Sequence, residues 1–139
     1  MPFVLDASMT MSWCFEDEKT QETEAILREL AFTHAEVPAL WPYEVTNPLA
    51  SSVRRGRMSY TQAENFLQRL GRLAIRIDDQ NDPYTGLKLL PFISQYGLTA
   101  YDAAYLELAK RKRLPLATLD KHLVAAAPLE GVFLLGQKP

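Results

Sequence analysis

The sequence is short of the residues that build several common kinds of site. It has one cysteine, Cys14, which excludes an intrachain disulfide and a cysteine-built zinc site. Its two histidines, His34 and His122, stand far apart with no cysteine beside them, so no Cys/His cluster is on offer, and His34 reads as a surface loop residue. No uncharged apolar run approaches the roughly 18 residues of a membrane span. Asp6 interrupts the N-terminal apolar run before a secretory core could form. These absences predict a cytoplasmic chain with no membrane association, in which Cys14 serves as a small buried hydrophobe. A strong charge of either sign is missing too. The formal net charge of −2 argues against a general nucleic-acid-coating protein, although local basic patches remain open to it.

What is present is an ordinary globular balance. Hydrophobic residues make up 47% and charged residues 23% of 139 residues, which predicts one domain, residues 1–139, around a single core. Strands are expected at Phe3–Leu5, Glu36–Ala39, Ala74–Ile77, Leu114–Leu119 and Val132–Leu135. Helices alternate with them. Ser8 is a possible cap for a first turn or helix, and Glu16–Leu30 reads as a charged helix burying Ala25, Ile26 and Leu30. Trp41–Arg57 reads as a helix with Pro42 in its first turn. Ser59 and Gln62 form a capping box for the next helix, and Asp82-Pro83 predicts the start of another running to Tyr96. Thr99 is the expected N-cap of a helix that carries Asp102 in its first turn. Strands alternating with helices predict an α/β fold with a parallel sheet covered on both faces.

Two of the strands end alike, in Leu5-Asp6 and Leu119-Asp120. Working groups in open α/β sheets gather beyond the carboxyl ends of the strands, so Asp6 and Asp120 meet there if their strands are neighbours. Glu44 lies in the first turn of its helix. Asp102 opens a helix leading into the Asp120 strand, and simple topology would put that helix start at the opposite edge. Its membership of the cluster stays open on these grounds. Each acid also has a bland explanation, since acids are favoured at helix starts. Brought together, four carboxylates would repel one another strongly and would ask for a hard divalent cation, Mg²⁺ or Mn²⁺. The matching chemistry is phosphodiester hydrolysis.

Asp6-Ala7-Ser8, Glu44-x-x-Asn47, Leu98-Thr99-Ala100-Tyr101-Asp102-Ala103 and Thr118-x-Asp120, in this order, resemble the four motifs of the PIN-domain family, and in particular its VapC-type ribonuclease toxins. The resemblance covers Phe3 to Leu135. It implies a sheet in the order 3-2-1-4-5 and one acidic pocket made of Asp6, Glu44, Asp102 and Asp120. Asp6 and Asp102 would be the primary ligands of Mg²⁺ or Mn²⁺, with Asp120 and Glu44 binding directly or through water. Ser8, Asn47 and Thr118 would orient the carboxylates. It further implies structured RNA as substrate, a homodimer, and an antitoxin whose C-terminal segment lies across the groove. The basic groups Arg54, Arg55 and Arg57, and Lys110, Arg111, Lys112 and Arg113, are candidates for phosphate contact. Apolar residues between Trp41 and Leu73 are the expected dimer surface.

Pro48 departs from the family pattern. It removes the amide that would bond the Glu44 carbonyl, which predicts a kink or local widening of that helix. Two other functional classes remain in view. A receiver-type phosphoacceptor module would use Asp6, Asp78-Asp79 and Lys121, and a catalytically silent PIN-like module would act only by binding.

Overall fold

The structure is a computed structural model that describes residues 1–136. Four strands, β1 (Phe3–Leu5), β2 (Ala35–Pro38), β3 (Ile75–Asp78) and β4 (Leu116–Ala117), pair in parallel in the order β3-β2-β1-β4. Seven α-helices surround them: α1 (Ala7–Ser12), α2 (Gln21–Glu29), α3 (Trp41–Arg54), α4 (Tyr60–Gly71), α5 (Thr85–Tyr96), α6 (Ala100–Lys112) and α7 (Lys121–Ala126). Phe3, Val4 and Leu5 are completely buried, as the central strand of a sheet covered on both faces must be. Leu5 lies level with Ala117. The next residues of the two strands, Asp6 and Thr118, therefore emerge side by side at the carboxyl edge.

The expected fifth strand is reduced to a single parallel bridge, Leu134 to Leu116, beside β4. Gly131 and Gly136, both at positive φ, turn the chain at either end of this stretch, which meets a β4 only two residues long. The predicted order survives in this form, with the last position held by a bridge. The strand expected at Leu114–Leu119 pairs only over Leu116–Ala117.

Three helix starts also differ from expectation. Asp6, rather than Ser8, caps α1 by accepting from the Met9 amide at 2.9 Å. The charged segment from Glu16 divides into a 3₁₀ turn at Glu16–Glu18 and α2, because Thr20 and Thr23 form a capping box between them; Ala25 is exposed. Asp82 accepts from the Tyr84 amide at 2.7 Å in a turn, and α5 begins only at Thr85. The Ser59–Gln62 capping box and the Thr99 cap form as read.

Helix α3 runs as one uninterrupted α-helix through Pro48, so the widening expected there does not occur. Trp41 anchors its first turn, donating its indole N–H to the Thr10 hydroxyl at 3.0 Å, and Thr10 in turn donates to the Asp6 carbonyl at 2.8 Å. Val45 and Leu49 then bury the inner face. Tertiary packing thus imposes the helix on a residue that opposes it. Replacing Pro48 by alanine restores one amide donor, and the expected outcome is a gain in unfolding free energy of up to about 3 kcal/mol, measured by urea denaturation. Equal or lower stability of the variant would mean that the proline ring contributes packing worth as much as the helix it opposes.

Candidate active site

The sheet order places Asp6, from the end of β1, next to the loop that follows β4. Asp6 is 3% exposed, and its carboxylate accepts three hydrogen bonds. Oδ1 accepts from the Ser8 hydroxyl at 2.7 Å and the Met9 amide at 2.9 Å, while Oδ2 accepts from the Thr118 hydroxyl. Both hydroxyls also act as acceptors for the neighbouring loop. Ser8 Oγ takes the Leu119 amide at 2.9 Å, and Thr118 Oγ1 takes the Asp120 amide at 3.0 Å. A hydroxyl can donate once and still accept, and here that capacity ties the two motif loops into one unit.

Asp120 caps α7, accepting from the Leu123 amide at 3.0 Å, and lies close enough to Asp6 to oppose its ionisation. Asp102 stands at the third position of α6, half-buried, with its amide bonded to the Thr99 hydroxyl at 3.1 Å. It too is in electrostatic reach of Asp120, which answers the topological question: α6 brings its first turn to the carboxyl edge, where β1 and β4 end. Glu44, in the first turn of α3, faces Asp102 and accepts from the Tyr105 hydroxyl at 2.6 Å.

The electrostatics record this convergence. Burial, chiefly, pushes the Asp6 carboxyl up from its ordinary 3.8 to about 6, with the Asp120 charge adding to it and the three hydrogen bonds opposing it. Burial and then the Asp120 charge raise Asp102, while burial and the Asp102 charge raise Glu44. His122, whose ring nitrogen lies 4.0 Å from Asp120, opposes the rise of Asp102. A set of oxygen donors held together against their own repulsion fits a hard divalent cation. The fit is not that of a finished cage, however. Among the described residues no three His, Cys, Asp or Glu side chains are spaced to hold one ion, and Asp6, Glu44 and Asp120 each turn an oxygen to a protein donor.

The remaining candidates are placed unevenly. Asn47 is exposed, and no hydrogen bond joins it to Glu44 or the aspartates among the described residues. Arg54, Arg55 and Arg57 are exposed at the far end of α3. Lys110, Arg111 and Lys112 lie at the far end of α6, about 15 Å along the helix from Asp102. They are engaged within the protein, Lys110 with Glu130 at 2.6 Å, Arg111 with Asp78 at 2.7 Å and Glu107 at 2.8 Å, and Lys112 with Glu36 at 2.5 Å. Asp78 is thereby occupied, and the sheet order differs from the 2-1-3-4-5 of receiver modules. The receiver reading is set aside on both counts.

Comparison with known proteins supports the other reading. No family profile matches the chain. It is 29% identical over 130 residues to ribonuclease VapC3 of Pyrobaculum aerophilum, covering 92% of this chain and 96% of that protein. The chain resembles the VapC ribonucleases. Its fold is PIN-like, shared with the crystal structure of PAE2754 from P. aerophilum at a TM-score of 0.69 and 23% identity, over 90% of this chain and 84% of that one. It is shared also with VapBC2 of Rickettsia felis bound to a DNA fragment from its promoter, at a TM-score of 0.68 and 16% identity over 96% and 97% of the two chains. A toxin–antitoxin complex from Klebsiella pneumoniae matches at a TM-score of 0.62 and 16% identity, covering 99% of each chain.

One residue in contact with these acids lies outside the four motifs of this VapC-like chain, Tyr105. The signal was available: it follows Asp102 by three residues, so both lie on one face of α6. The acidic site also carries a stability cost with a definite sign. Asp6 has a folded-state pKa above its unfolded value, so it takes up protons on folding, and stability falls as pH rises from about 4 to about 6. The loss amounts to roughly 3 kcal/mol in the metal-free protein. Asp6→Asn retains a capping side chain and is expected to flatten this dependence and to melt higher than the parent at pH 7.5. A parent protein equally stable at pH 4.5 and 7.5 without metal would contradict the placement of a strained carboxylate there.

Proposed function

We propose that this chain is a metal-dependent endoribonuclease, the toxin of a type II toxin–antitoxin pair, acting on structured RNA in the cytoplasm. The observation that carries the reading is the meeting of Asp6, Glu44, Asp102 and Asp120 at the carboxyl edge, with burial and mutual charge holding three of them above their ordinary pKa. The near full-length similarity to a VapC ribonuclease supports it. Asp6 and Asp102 would hold Mg²⁺ or Mn²⁺, with Asp120 and Glu44 binding directly or through water. A divalent cation so held polarises a phosphate oxygen and lowers the pKa of an attacking water. Ser8 and Thr118 keep the Asp6 carboxylate in one orientation, and Asp120 is fixed by its own cap on α7. The exposed Arg54, Arg55 and Arg57 are available for phosphate contact, whereas Lys110, Arg111 and Lys112 would first have to leave carboxylate partners.

Two unpartnered apolar surfaces support association with an antitoxin and with a second copy. One is the groove between α3 and α4, lined by Leu49, Val53, Tyr60 and Leu67. The other is formed by exposed Leu87 and Leu90 on α5. Among the described residues no helix is long and apolar enough to cross a membrane.

The test is cleavage of structured RNA with Mn²⁺, Mg²⁺ or a chelator. The parent protein should cleave with either cation and stop when it is removed. Asp102→Asn should lose at least about 100-fold in rate while remaining as stable as the parent, or more so, without metal. Mn²⁺ at 100 times its dissociation constant should add about 2.7 kcal/mol to the parent's stability and much less to the variant's. Cation-independent cleavage would remove the four carboxylates from the chemistry. A folded protein with bound cation and no cleavage would favour the silent binding module.

A further inference from the structure

We propose that Tyr105 is the positioning residue of Glu44, taking the role that the Glu44-x-x-Asn47 motif would give to Asn47. The inference rests on the ribonuclease reading and identifies what orients one of its four acids. Asn47 lies one turn along α3 from Glu44, but it is exposed and forms no hydrogen bond to it. The Tyr105 hydroxyl comes instead from α6, 61 positions away in sequence, and donates to Glu44 Oε1 at 2.6 Å. A phenol has one proton to give, and this bond uses it.

The same phenol oxygen lies against the Ala7 backbone amide, in the turn that carries Asp6 and Ser8. One atom therefore connects the α3 acid, the β1 turn and the helix bearing Asp102. The Tyr105 ring is 1% exposed and packed in the core, so its hydroxyl has little freedom to search. Glu44 Oε2 takes no protein partner among the described residues and is the oxygen left for a ligand. Fixing Oε1 is what decides where Oε2 points. Helix geometry alone would not, because a glutamate carries three rotatable bonds and stands half-buried.

The full chain with Tyr105→Phe tests this, with Mn²⁺ binding followed by calorimetry and RNA cleavage by steady-state kinetics. The variant should bind Mn²⁺ about 10- to 100-fold more weakly and lose kcat by a similar factor, with KM for RNA changed less than about twofold. Glu44→Gln combined with Tyr105→Phe should lose much less than the product of the two single losses, since the phenol acts mainly through that carboxylate. Asn47→Ala should cost less than Tyr105→Phe. A variant with parental kcat and Mn²⁺ affinity would overturn the proposal. So would a multiplied loss in the double variant, a greater loss from Asn47→Ala, or a Tyr105→Phe chain that no longer folds. Parent protein that neither binds Mn²⁺ nor cleaves RNA would sink the ribonuclease reading itself, a result distinct from all of these.

Discussion

Placing the Asp6 carboxylate inside the domain, within reach of another acid's charge, is the constraint on which the carboxyl edge of the sheet is built. Like charges in a low dielectric repel strongly, and an unpaired buried carboxylate costs several kcal/mol. Among the described residues no lysine or arginine bonds the group. Hydroxyls and amides oppose the cost in their place. Ser8, Thr118 and the Met9 amide solvate Asp6, and burial still wins, leaving its pKa at about 6. A cation-paired aspartate would have been more stable but would have filled the site with a side chain. Dipolar donors hold the carboxylate in place and leave its charge uncompensated, which is the condition a metal-binding acid requires.

The hydroxyls do more than solvate. Each spans two loops, so the end of β1 and the end of β4 cannot move independently, although β4 contributes only two residues of ladder. The parallel pairing of a strand this short is weak by itself. Side-chain bonds at the edge supply the rigidity that backbone pairing does not, and Trp41 extends the same network to α3 through Thr10 and the Asp6 carbonyl.

Much of this was legible in the residues. Capping at Thr99 and Ser59, the apolar run at Phe3–Leu5 and the paired Leu-Asp strand ends are local signals, and local signals survive folding. The sequence could not decide whether Asp102 joined the cluster, because that depends on how α6 crosses the sheet. The Glu16–Leu30 segment misled because its charges continue across Thr20, and only the capping box reveals the break. The fifth strand is reduced to one bridge beside a β4 of two residues, a limit that hydrophobicity does not report. Tyr105 lies outside the four motifs, and its hydroxyl meets Glu44 only once α3 has packed beside α6.

Helix α6 shows why the basic run at Lys110–Arg113 is poor evidence for nucleic-acid contact. Cations in the last turn of a helix are favoured by its dipole, so their presence demands no ligand. Here Lys112 holds Glu36 of β2 and Arg111 holds Asp78 at the end of β3, while Lys110 holds Glu130. Burial alone would raise the Glu36 carboxyl, yet the Lys112 and His34 bonds overcome it and keep it below its ordinary value. These pairs clamp the C-terminal end of α6 to the sheet. A helix pinned at one end and packed along its length presents its other end in a fixed place. The acid in that first turn, Asp102, is placed by the Thr99 cap and the buried Ala103, Tyr105 and Leu106 beside it, with the ion pairs holding the far end of the same helix.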